Sequence, residues 1–460
     1  MTFFPEIPFL PHNRPDAVAL VEDGGSQITY GELADMVRLL SASLAMPKAL
    51  IFLYAANDIR SVARFLASLH AGHAVALLDP DLPSAARVAL ESRYKPAIVL
   101  DSAGDAPSLK AYECPINDAL AVLLSTSGST GGSKFVRLTL ANLEANAKSI
   151  ATSLRVSQND VAAGHLPLHY SYGLSVLLSH LLTGAKIVLT SRGLMDRELW
   201  PVMKANAVSH FPGVPFHYEM LLRLGLERLG LESLRTLTQA GGHLRVELRE
   251  KAYKYMNDRG GRFYVMYGQT EAAPRIATLD HDEFLGHRES VGRAIPDGRL
   301  FIRDESGRVL PAGREGIVWY EGPNVMMGYA ESVADLARGD ELAGVLATGD
   351  IGRLGDHGHL TITGRVKRMG KIYGLRVNLD EIERLVKEVH AQSAVVQQGE
   401  KITVVMVASL EEGPVLIERA RVEFARHFSV PATAYQFKLV EEIPTTSRGK
   451  VDYQRLQSVG

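Results

Sequence analysis

The chain has 460 residues, of which 50 are lysine or arginine and 52 are aspartate or glutamate, and its formal net charge is −2. This length predicts two or three domains, and the near-neutral charge argues against a nucleic-acid partner, which would need a basic surface. The single cysteine, Cys114, excludes an internal disulfide and a multi-cysteine metal site. No apolar run is long enough to span a bilayer and the first residues lack the basic head of a signal peptide, so we expect a cytoplasmic protein without a membrane span.

The first part of the chain alternates apolar runs, typical of strands, with amphipathic segments, typical of helices. Leu33, Val37, Leu40 and Leu44, for example, recur at helical spacing. This alternation predicts a parallel sheet that is covered on both faces. The predicted elements are a helix over 28–44, strands at Ala49–Tyr54, Ala74–Leu78, Ala97–Leu100 and Ala119–Leu124, and helices at Asp58–Ala71 and Ser84–Tyr94.

A segment rich in serine, threonine and glycine follows Leu124 and ends at Lys134. Its glycines let the backbone approach a ligand, its hydroxyls and backbone N–H groups suit a polyphosphate, and Lys134 adds a positive charge. A flexible linker would have a similar composition, but a strand pattern resumes at Phe135–Leu140. The Walker P-loop requires Gly-Lys-Ser/Thr followed by a helix, whereas Ser133 precedes and Phe135 follows this lysine. The sequence therefore predicts a phosphate loop of another kind.

A second alternating series follows a helix predicted between Leu140 and Leu154. Its strands are predicted at Ile187–Thr190, Val208–Phe211, Thr236–Gln239 and Phe263–Tyr267. Ligands in such folds bind at the carboxyl ends of strands, where Gly241-Gly242 and Gly268–Glu271 occur. From about Ile276 to Gly364 short strands and turns predict a β-rich subdomain, and the last hundred residues or so predict an α+β tail domain, with elements at Leu379–Val389, Ile402–Val407 and Val415–His427.

The glycine-rich segment Thr126-Ser-Gly-Ser-Thr-Gly-Gly-Ser-Lys134 resembles the nucleotide-binding loop of the adenylate-forming enzymes. These are acyl- and aryl-CoA synthetases, adenylation domains of peptide synthetases, and luciferases. Ser133 replaces the proline usual in the family, which stiffens the loop less but removes no phosphate ligand. Further family motifs follow in the expected order, and together they make the resemblance specific over almost the whole chain: Tyr267-Gly-Gln-Thr-Glu271, Thr348-Gly-Asp350, Gly364-Arg-Val-Lys-Arg-Met-Gly-Lys-Ile-Tyr-Gly374 and Pro444-Thr-Thr-Ser-Arg-Gly-Lys450.

The resemblance implies an α/β fold with two domains. Residues 1–364 would form a large N-terminal adenylation domain of two α/β subdomains plus a small β-barrel-like subdomain. Residues 365–460 would form a small mobile α+β C-terminal domain that carries the catalytic lysine. Lys367 would be the hinge between them; many relatives have aspartate there, whereas some aryl-CoA ligases have lysine, and Gly370 replaces a usual aliphatic residue.

The resemblance also implies roles for individual residues. Thr270 would contact phosphate, Glu271 would bind Mg²⁺ and Asp350 the ribose hydroxyls, although each also fits an ordinary helix start or turn. Lys450 would be the catalytic lysine, since a cation between the carboxylate and the α-phosphate offsets their repulsion. The remaining predicted nucleotide- and thiol-binding residues are Thr126, Ser127, Gly128, Ser129, Thr130, Gly131, Lys134, Gly241, Gly242, Tyr267, Gly268, Gln269, Arg365, Lys371 and Gly374.

The acid-binding region is indicated by Leu166-Pro-Leu-His-Tyr-Ser-Tyr-Gly173, which resembles a segment of acyl- and aryl-CoA ligases that gates the carboxylate site. His169 fits that role and fits a packed core histidine equally well. Relatives that activate amino acids carry an aspartate near this segment, and none occurs in His169–Leu174. We expect further pocket walls at His210–Val214, Gly241–His243 and Ala272-Ala273, where small residues leave room for an apolar chain or ring.

The resemblance predicts an ATP-dependent ligase that joins a small carboxylic acid to a thiol. With Mg²⁺ it would make acyl-AMP and pyrophosphate, and then pass the acyl group to coenzyme A or to the phosphopantetheine of a carrier protein. An enzyme that transfers the acyl group to an amine or another acceptor would share every motif, and product analysis separates the two. A P-loop NTPase lacks support in the motif, and a non-catalytic nucleotide sensor would be expected to lose Glu271 or Lys450.

Overall fold

The computed structural model describes most of the chain. The described residues are 6–101, 114–125, 134–372, 375–399, 401–409, 411–427, 434–446 and 450–458. Among them, no helix combines the length and the apolar composition needed to cross a membrane.

The strands, in chain order, are β1 (Val18–Glu22), β2 (Gln27–Thr29), β3 (Leu50–Tyr54), β4 (Ala74–Leu78), β5 (Ile98–Asp101), β6 (Leu120–Ser125), β7 (Phe135–Thr139), β8 (Val161–Gly164), β9 (Lys186–Leu189), β10 (His210–Gly213), β11 (Thr236–Gln239), β12 (Arg262–Gly268), β13 (Arg275–Leu279), β14 (Arg293–Ala294), β15 (Arg299–Arg303), β16 (Gly316–Glu321), β17 (Gly328–Ala330), β18 (Val345–Leu354), β19 (Leu360–Arg365), β20 (Met369–Ile372), β21 (Leu375–Asn378), β22 (Ser393–Gln398), β23 (Lys401–Val407) and β24 (Tyr435–Val440).

The α-helices, in chain order, are α1 (Tyr30–Ala42), α2 (Ile59–His70), α3 (Ser84–Tyr94), α4 (Leu140–Leu154), α5 (Ser171–Thr183), α6 (Leu199–Ala205), α7 (Pro215–Leu224), α8 (Val246–Asn257), α9 (Leu379–Val389), α10 (Gly413–His427) and α11 (Tyr453–Ser458). Short 3₁₀ helices supplement them, among them Thr270–Ala272 and Val366–Arg368.

The chain divides into two compact units, residues 1–300 with 320–346 and residues 301–319 with 347–460. The first unit contains a six-stranded sheet of order β17-β7-β6-β4-β3-β5 and a nine-stranded sheet of order β14-β13-β12-β11-β10-β8-β9-β1-β2. Strands β5, β3, β4 and β6 are parallel, as are the strands from β12 to β1 in the larger sheet. The predicted α/β fold is therefore confirmed.

Burial on both faces explains why these strands are apolar throughout. All five residues of β3 and all five of β4 are buried, as expected for parallel strands that lie between helices. The Asp58 carboxylate accepts a hydrogen bond of 2.6 Å from the backbone N–H of Ser61 and so caps the helix that follows β3. The main hydrophobic core includes residues of α1, α2, α4 and α5 as well as of both sheets.

Two predictions at strand boundaries differ from the structure. Leu140 was placed both at the end of a strand and at the start of the helix that ends at Leu154; it begins α4, as the helix prediction has it, because Thr139 and Asn142 form a capping box. The β-rich region was expected to begin at Ile276, but β13 pairs with β12 in antiparallel orientation and extends the nine-stranded sheet. The hairpin β1–β2 was not predicted, and it continues the same sheet through the parallel pair β1–β9.

The second unit contains the tail sheet β22-β23-β24 and the hairpin β20–β21. Strands β22 and β23 are antiparallel, and β23 and β24 are parallel. Its core includes Ile382 and Val386 of α9, Val395 of β22, and Val404 of β23. A further sheet has the order β15-β16-β18-β19. The domain boundary between residues 364 and 365 stays a prediction.

Arg137 of β7 is a buried cation that fastens the segment before Glu341 to the six-stranded sheet. Its side chain is 0% exposed, and its Nη2 lies 3.2 Å from Glu341 Oε2. Its Nε donates to the carbonyl oxygen of Tyr329 at 3.2 Å, and its Nη1 donates to that of Arg338. A buried cation of this kind is stable only because oxygen acceptors surround it.

We predict that Arg137→Met lowers the free energy of unfolding by about 3 kcal/mol, because the buried acceptors lose their donor. Arg338→Met is the matched control, since Arg338 also pairs with Glu341 but its side chain is 54% exposed; it should cost less than about 1 kcal/mol. Urea unfolding of both variants measures the difference. Equal losses would show that the burial of Arg137 contributes nothing.

Candidate functional site

The predicted phosphate loop lies between two antiparallel neighbours of the six-stranded sheet. Strand β6 ends at Ser125 and β7 begins at Phe135, and the two strands pair directly. The predicted ligands Thr126, Ser127, Gly128, Ser129, Thr130 and Gly131 lie outside the described residues. Lys134 is described, immediately before β7.

Tyr329 connects Lys134 to Glu271. The Lys134 ammonium nitrogen lies 3.5 Å from the centroid of the Tyr329 ring, a cation–π geometry. The Tyr329 hydroxyl donates a hydrogen bond of 2.7 Å to Glu271 Oε1. Burial, and then the Glu271 carboxylate, raise the pKa of Tyr329 far above its usual value, so the phenol stays protonated and donates.

Tyr329 is held in place by strand pairing. It lies in β17, whose three residues pair antiparallel with Phe135, Val136 and Arg137 of β7. The sequence reasoning did not identify Tyr329, because both of its partners are remote in sequence. The neighbouring Gly328 has an unusual backbone conformation: its φ is +134°, and a Cβ there would lie 2.3 Å from Glu341 Oε2. The positive φ favours glycine at that position.

The segment Tyr267-Gly-Gln-Thr-Glu271 spans the end of β12 and a 3₁₀ helix, at the carboxyl end of the strand as predicted. The backbone N–H of Gln269 donates to the carbonyl oxygen of Pro274 at 2.8 Å. A Cβ at Gly268 would lie 2.0 Å from the same oxygen, so this close turn requires glycine.

Two buried asparagines fix the residues just after Glu271. Asn146 and Asn324 each donate through Nδ2 to the carbonyl oxygens of Ala272 and Arg275, at distances between 2.5 and 3.4 Å. Thr270 is buried, and its hydroxyl lies 3.2 Å from that of Ser171. The predicted phosphate hydroxyl therefore belongs to a rigid segment.

Gly241 and Gly242 follow β11 as predicted. Gly241 has a φ of +84°, and a Cβ there would lie 2.5 Å from the Tyr170 hydroxyl oxygen. The Gln239 side chain donates to the carbonyl oxygen of Gly242 at 2.8 Å. The structure therefore brings the Gly241 turn next to Tyr170, in the segment that resembles the gate of the acid site.

His169 is buried, and its Nε2 lies 3.7 Å from Asp79 Oδ2. Two pairs of histidines make contact in the same unit: His165 with the half-buried His217, at 3.4 Å, and the buried His180 with His210, at 3.1 Å. Burial lowers the pKa of His180 and of His217 to about 4, so both are neutral at neutral pH. The role of His169 at the substrate stays a prediction.

Glu271 is the carboxylate predicted to bind Mg²⁺. In the described part of the chain, no group of three or more histidine, cysteine, aspartate or glutamate side chains could hold a metal ion by itself. Mg²⁺ in nucleotide sites commonly takes one or two protein carboxylates together with phosphates and water. A single oriented carboxylate beside a phosphate-loop lysine fits that pattern.

In the second unit, the structure brings Asp350 and Arg365 together. They lie directly opposite each other on β18 and β19, and Arg365 Nε donates to Asp350 Oδ1 at 3.0 Å. The Asp350 side chain is 9% exposed, whereas that of Arg365 is 61% exposed. The two residues predicted separately as nucleotide ligands thus form one ion pair.

Three further predicted residues belong to the second unit: Lys371, Gly374 and Lys450. The carbonyl oxygen of Lys450 accepts a hydrogen bond of 2.7 Å from the backbone N–H of Thr446. Lys371 lies in β20, and Gly374 lies outside the described residues.

Arg368, between the predicted hinge and the tail, is bound to the tail itself. It donates to Asp380 Oδ1 at 2.7 Å, to Glu383 Oε2 at 2.8 Å and to the carbonyl oxygen of Val395 at 2.7 Å. Its guanidinium also lies 3.9 Å from the centroid of the Tyr453 ring. Arg368 is therefore fixed to α9 and α11, while Arg365 is fixed to β18.

Comparison with known proteins agrees with these motifs. Residues 11–115 and 87–330 match the model of the family described as AMP-binding enzyme. The equisetin synthetase of Fusarium heterosporum is 26% identical over 97% of this chain and 13% of its own length. The medium-chain fatty-acid–CoA ligase of Escherichia coli (strain K12) is 27% identical over 73% of this chain and 60% of its own length. The chain thus spans less than two thirds of either curated relative.

The fold is also similar to solved structures of acyl-CoA synthetases. An o-succinylbenzoate CoA synthetase from Bacillus subtilis, solved with its acyl-adenylate intermediate, is similar with a TM-score of 0.79 and 22% identity over 96% of each chain. The chain belongs to the AMP-binding enzymes, the adenylate-forming family that its motifs resemble.

We predict that trypsin cuts the native protein after Arg365 or Lys367 but not after Arg368, because the Arg368 side chain is 11% exposed and held by two carboxylates. Mass spectrometry should find tail fragments that begin at Val366 or Arg368. Glu383→Gln, which weakens the hold on Arg368, should add a fragment beginning at Met369. The exposed Glu388→Gln on the same helix is the control, and a Met369 fragment from the wild-type protein would contradict the prediction.

Proposed function

We propose that the protein is an ATP-dependent ligase that joins a carboxylic acid to a thiol. In the first step a carboxylate oxygen of the acid attacks the α-phosphorus of ATP, and pyrophosphate leaves with the electrons of the broken P–O bond. In the second step a thiolate attacks the acyl carbon, and AMP leaves. The net products are a thioester, AMP and pyrophosphate.

The observation that carries the proposal is the contact of Lys134, Tyr329 and Glu271 within one compact unit. The two charged residues come from two motifs on different sheets, and Tyr329 holds both without neutralising either. Lys134 would contact the ATP phosphates and Glu271 would hold Mg²⁺, which when bound would neutralise part of the phosphate charge. The Thr270 hydroxyl would orient the phosphate of the adenylate.

Asp350 would accept hydrogen bonds from the ribose hydroxyls, with its carboxylate oriented by Arg365. A carboxylate suits this role because both ribose hydroxyls are donors. Lys450 would serve adenylation by stabilising the negative charge that develops at the α-phosphate, a role for which a compact point charge is suited.

The acceptor of the acyl group would be coenzyme A or the phosphopantetheine of a carrier protein, since both offer the same terminal thiol. Similarity to a medium-chain fatty-acid–CoA ligase supports coenzyme A, and the shared terminal thiol keeps a carrier protein as the second candidate. Transfer to an amine is the alternative, and analysis of the acyl product distinguishes it from a thioester.

The proposal predicts pyrophosphate release from ATP only when Mg²⁺ and a suitable carboxylic acid are both present. The measurement is a coupled pyrophosphate assay over fatty, aryl, dicarboxylic and amino acids, with and without coenzyme A. Acyl-AMP should accumulate without a thiol and disappear when one is added. Formation of ADP and orthophosphate would refute adenylation.

Lys450→Ala should slow acyl-AMP formation by a factor of about 100 or more, while supplied acyl-AMP is still converted to thioester at the wild-type rate. Single-turnover assays of each half-reaction measure the two rates. Lys401→Ala is the matched control, because Lys401 is an exposed lysine of the same tail region; it should leave both rates unchanged. Equal slowing of the two steps by Lys450→Ala would assign this lysine a structural role.

A further inference from the structure

Three arginine side chains are among the largest fully buried side chains of the described residues: Arg137, Arg249 and Arg275. Arg137 is paired with Glu341 and with carbonyl oxygens. Arg249 donates to the carbonyl oxygens of Leu244 at 2.8 Å, Arg288 at 3.2 Å and Ser290 at 3.1 Å. Both cations thus have the oxygen acceptors that a buried charge requires.

Arg275 lacks such acceptors. It is 2% exposed, and its guanidinium contacts the thioether sulfur of Met266 and faces the Tyr172 ring, whose centroid is 5.6 Å away. Within the described ranges, no carboxylate and no carbonyl oxygen pairs with this guanidinium. Sulfur is a weak acceptor, so the charge of Arg275 is poorly compensated.

Hydrogen bonds of its own backbone keep Arg275 from moving toward other acceptors. Its N–H donates to Asn146 Oδ1 at 3.3 Å, and its carbonyl oxygen accepts from Asn146 at 3.1 Å and from Asn324 at 2.8 Å. The side chain therefore starts from a fixed point at the beginning of β13 and stays directed at Tyr172. A fixed, buried donor with five N–H groups and few acceptors resembles a prepared anion site.

The neighbouring side chains supply no negative charge. The Tyr172 hydroxyl is hydrogen-bonded to Thr238, and the Thr238 hydroxyl lies 3.3 Å from His210 Nε2. His210 Nδ1 lies 3.1 Å from His180 Nε2, and His180 Nδ1 lies 2.8 Å from the carbonyl oxygen of Val176. Because the Val176 carbonyl can only accept, His180 must donate to it from Nδ1. If His210 also carries its proton on Nδ1, every hydrogen bond from Val176 to Thr238 is formed with both rings neutral. Burial lowers the pKa of both histidines, which agrees with neutral rings.

The same group of residues adjoins the candidate site. The Tyr170 and Tyr172 rings meet edge to face with centroids 6.2 Å apart, and the Tyr170 hydroxyl lies against Gly241. Ser171, between the two tyrosines, lies 3.2 Å from Thr270. An acid whose reacting carboxylate lies near Thr270 could therefore extend along these rings toward Arg275.

We propose that Arg275 binds a second, distal carboxylate of the acid substrate, so that the enzyme activates dicarboxylic acids. The inference rests on the proposed ligase function. The guanidinium offers a planar, two-pronged donor that matches a carboxylate, and its burial makes the pair strong. Burial lowers the pKa of Arg275 to about 10, so it remains charged at neutral pH. Met266 and the tyrosine rings would contact the carbon chain between the two carboxylates.

The test compares straight-chain and aromatic dicarboxylic acids with monocarboxylic acids of matched length, in the pyrophosphate assay. The variants are Arg275→Met, Arg275→Lys and, as the matched control, the buried Arg249→Met. Calorimetric binding of the same acids in the presence of a non-hydrolysable ATP analogue, and the Tm of each ligand-free variant, are measured in parallel.

We expect the wild-type enzyme to prefer dicarboxylic acids. Arg275→Met should reduce kcat/KM for them by a factor of about 100 or more, as expected for a buried charge pair, with activity toward matched monocarboxylic acids unchanged or increased. Arg275→Lys should keep part of the preference. The Tm of Arg275→Met should be unchanged or higher, because a poorly compensated buried charge is removed, whereas Arg249→Met should lower it.

A wild-type preference for monocarboxylic acids, an equal loss for both classes in Arg275→Met, or a fall in Tm like that of Arg249→Met would each overturn the inference. Failure of every acid to release pyrophosphate would instead refute the proposed ligase function. In that case the calorimetric measurement still tests the role of Arg275. The distal carboxylate site is rejected if dicarboxylic acids do not bind, or if they bind wild-type protein and Arg275→Met equally well.

Discussion

The contact on which the candidate site depends is made by a tyrosine that lies between two opposite charges. Tyr329 donates its hydroxyl to Glu271 and presents its ring to Lys134. In the described part of the chain, Lys134 and Glu271 form no ion pair with each other. A direct pair would neutralise both charges, whereas the tyrosine orients both and leaves both charged, as the proposed roles toward phosphate and Mg²⁺ require. The same contact joins a residue next to β7 to a residue after β12, and so links the two sheets of the first unit.

Buried polar side chains keep this arrangement rigid. Arg137 donates to the carbonyl oxygen of Tyr329 itself, and β17 pairs with β7 on both sides of that residue. Asn146 and Asn324 hold the carbonyl oxygens just after Glu271. Because a buried polar group without a partner is costly, each of these side chains restricts the backbone to one position. Preorganised charges of this kind stabilise a transition state without reorganisation.

Local patterns were sufficient to predict much of the fold. The bounds of β4, α3, β11 and α9 agree with the sequence prediction, because apolar runs and polar turns define them within a few residues. Gly241 follows β11 as predicted, and Thr270 and Glu271 follow β12, although Gly268 is the last residue of that strand. Tyr329 and Arg275 could not be predicted, since their importance comes from partners that only the folded chain brings near. The sequence of an apolar strand does not show whether an arginine within it will contact oxygen acceptors in the folded protein.

Two ion pairs flank the predicted hinge at Lys367. Arg365 lies opposite Asp350 because β18 and β19 form a hairpin, and that pair ties residue 365 to the sheet before it. Arg368, only three residues later, is tied to Asp380 and Glu383 of α9. If the tail rotates, rotation within the short 3₁₀ segment between these two ion pairs would leave both pairs intact. This is where the family resemblance puts the pivot, at Lys367. That pivot stays a prediction; a pivot beyond Arg368 would have to separate the Arg368 side chain from the carboxylates of Asp380 and Glu383.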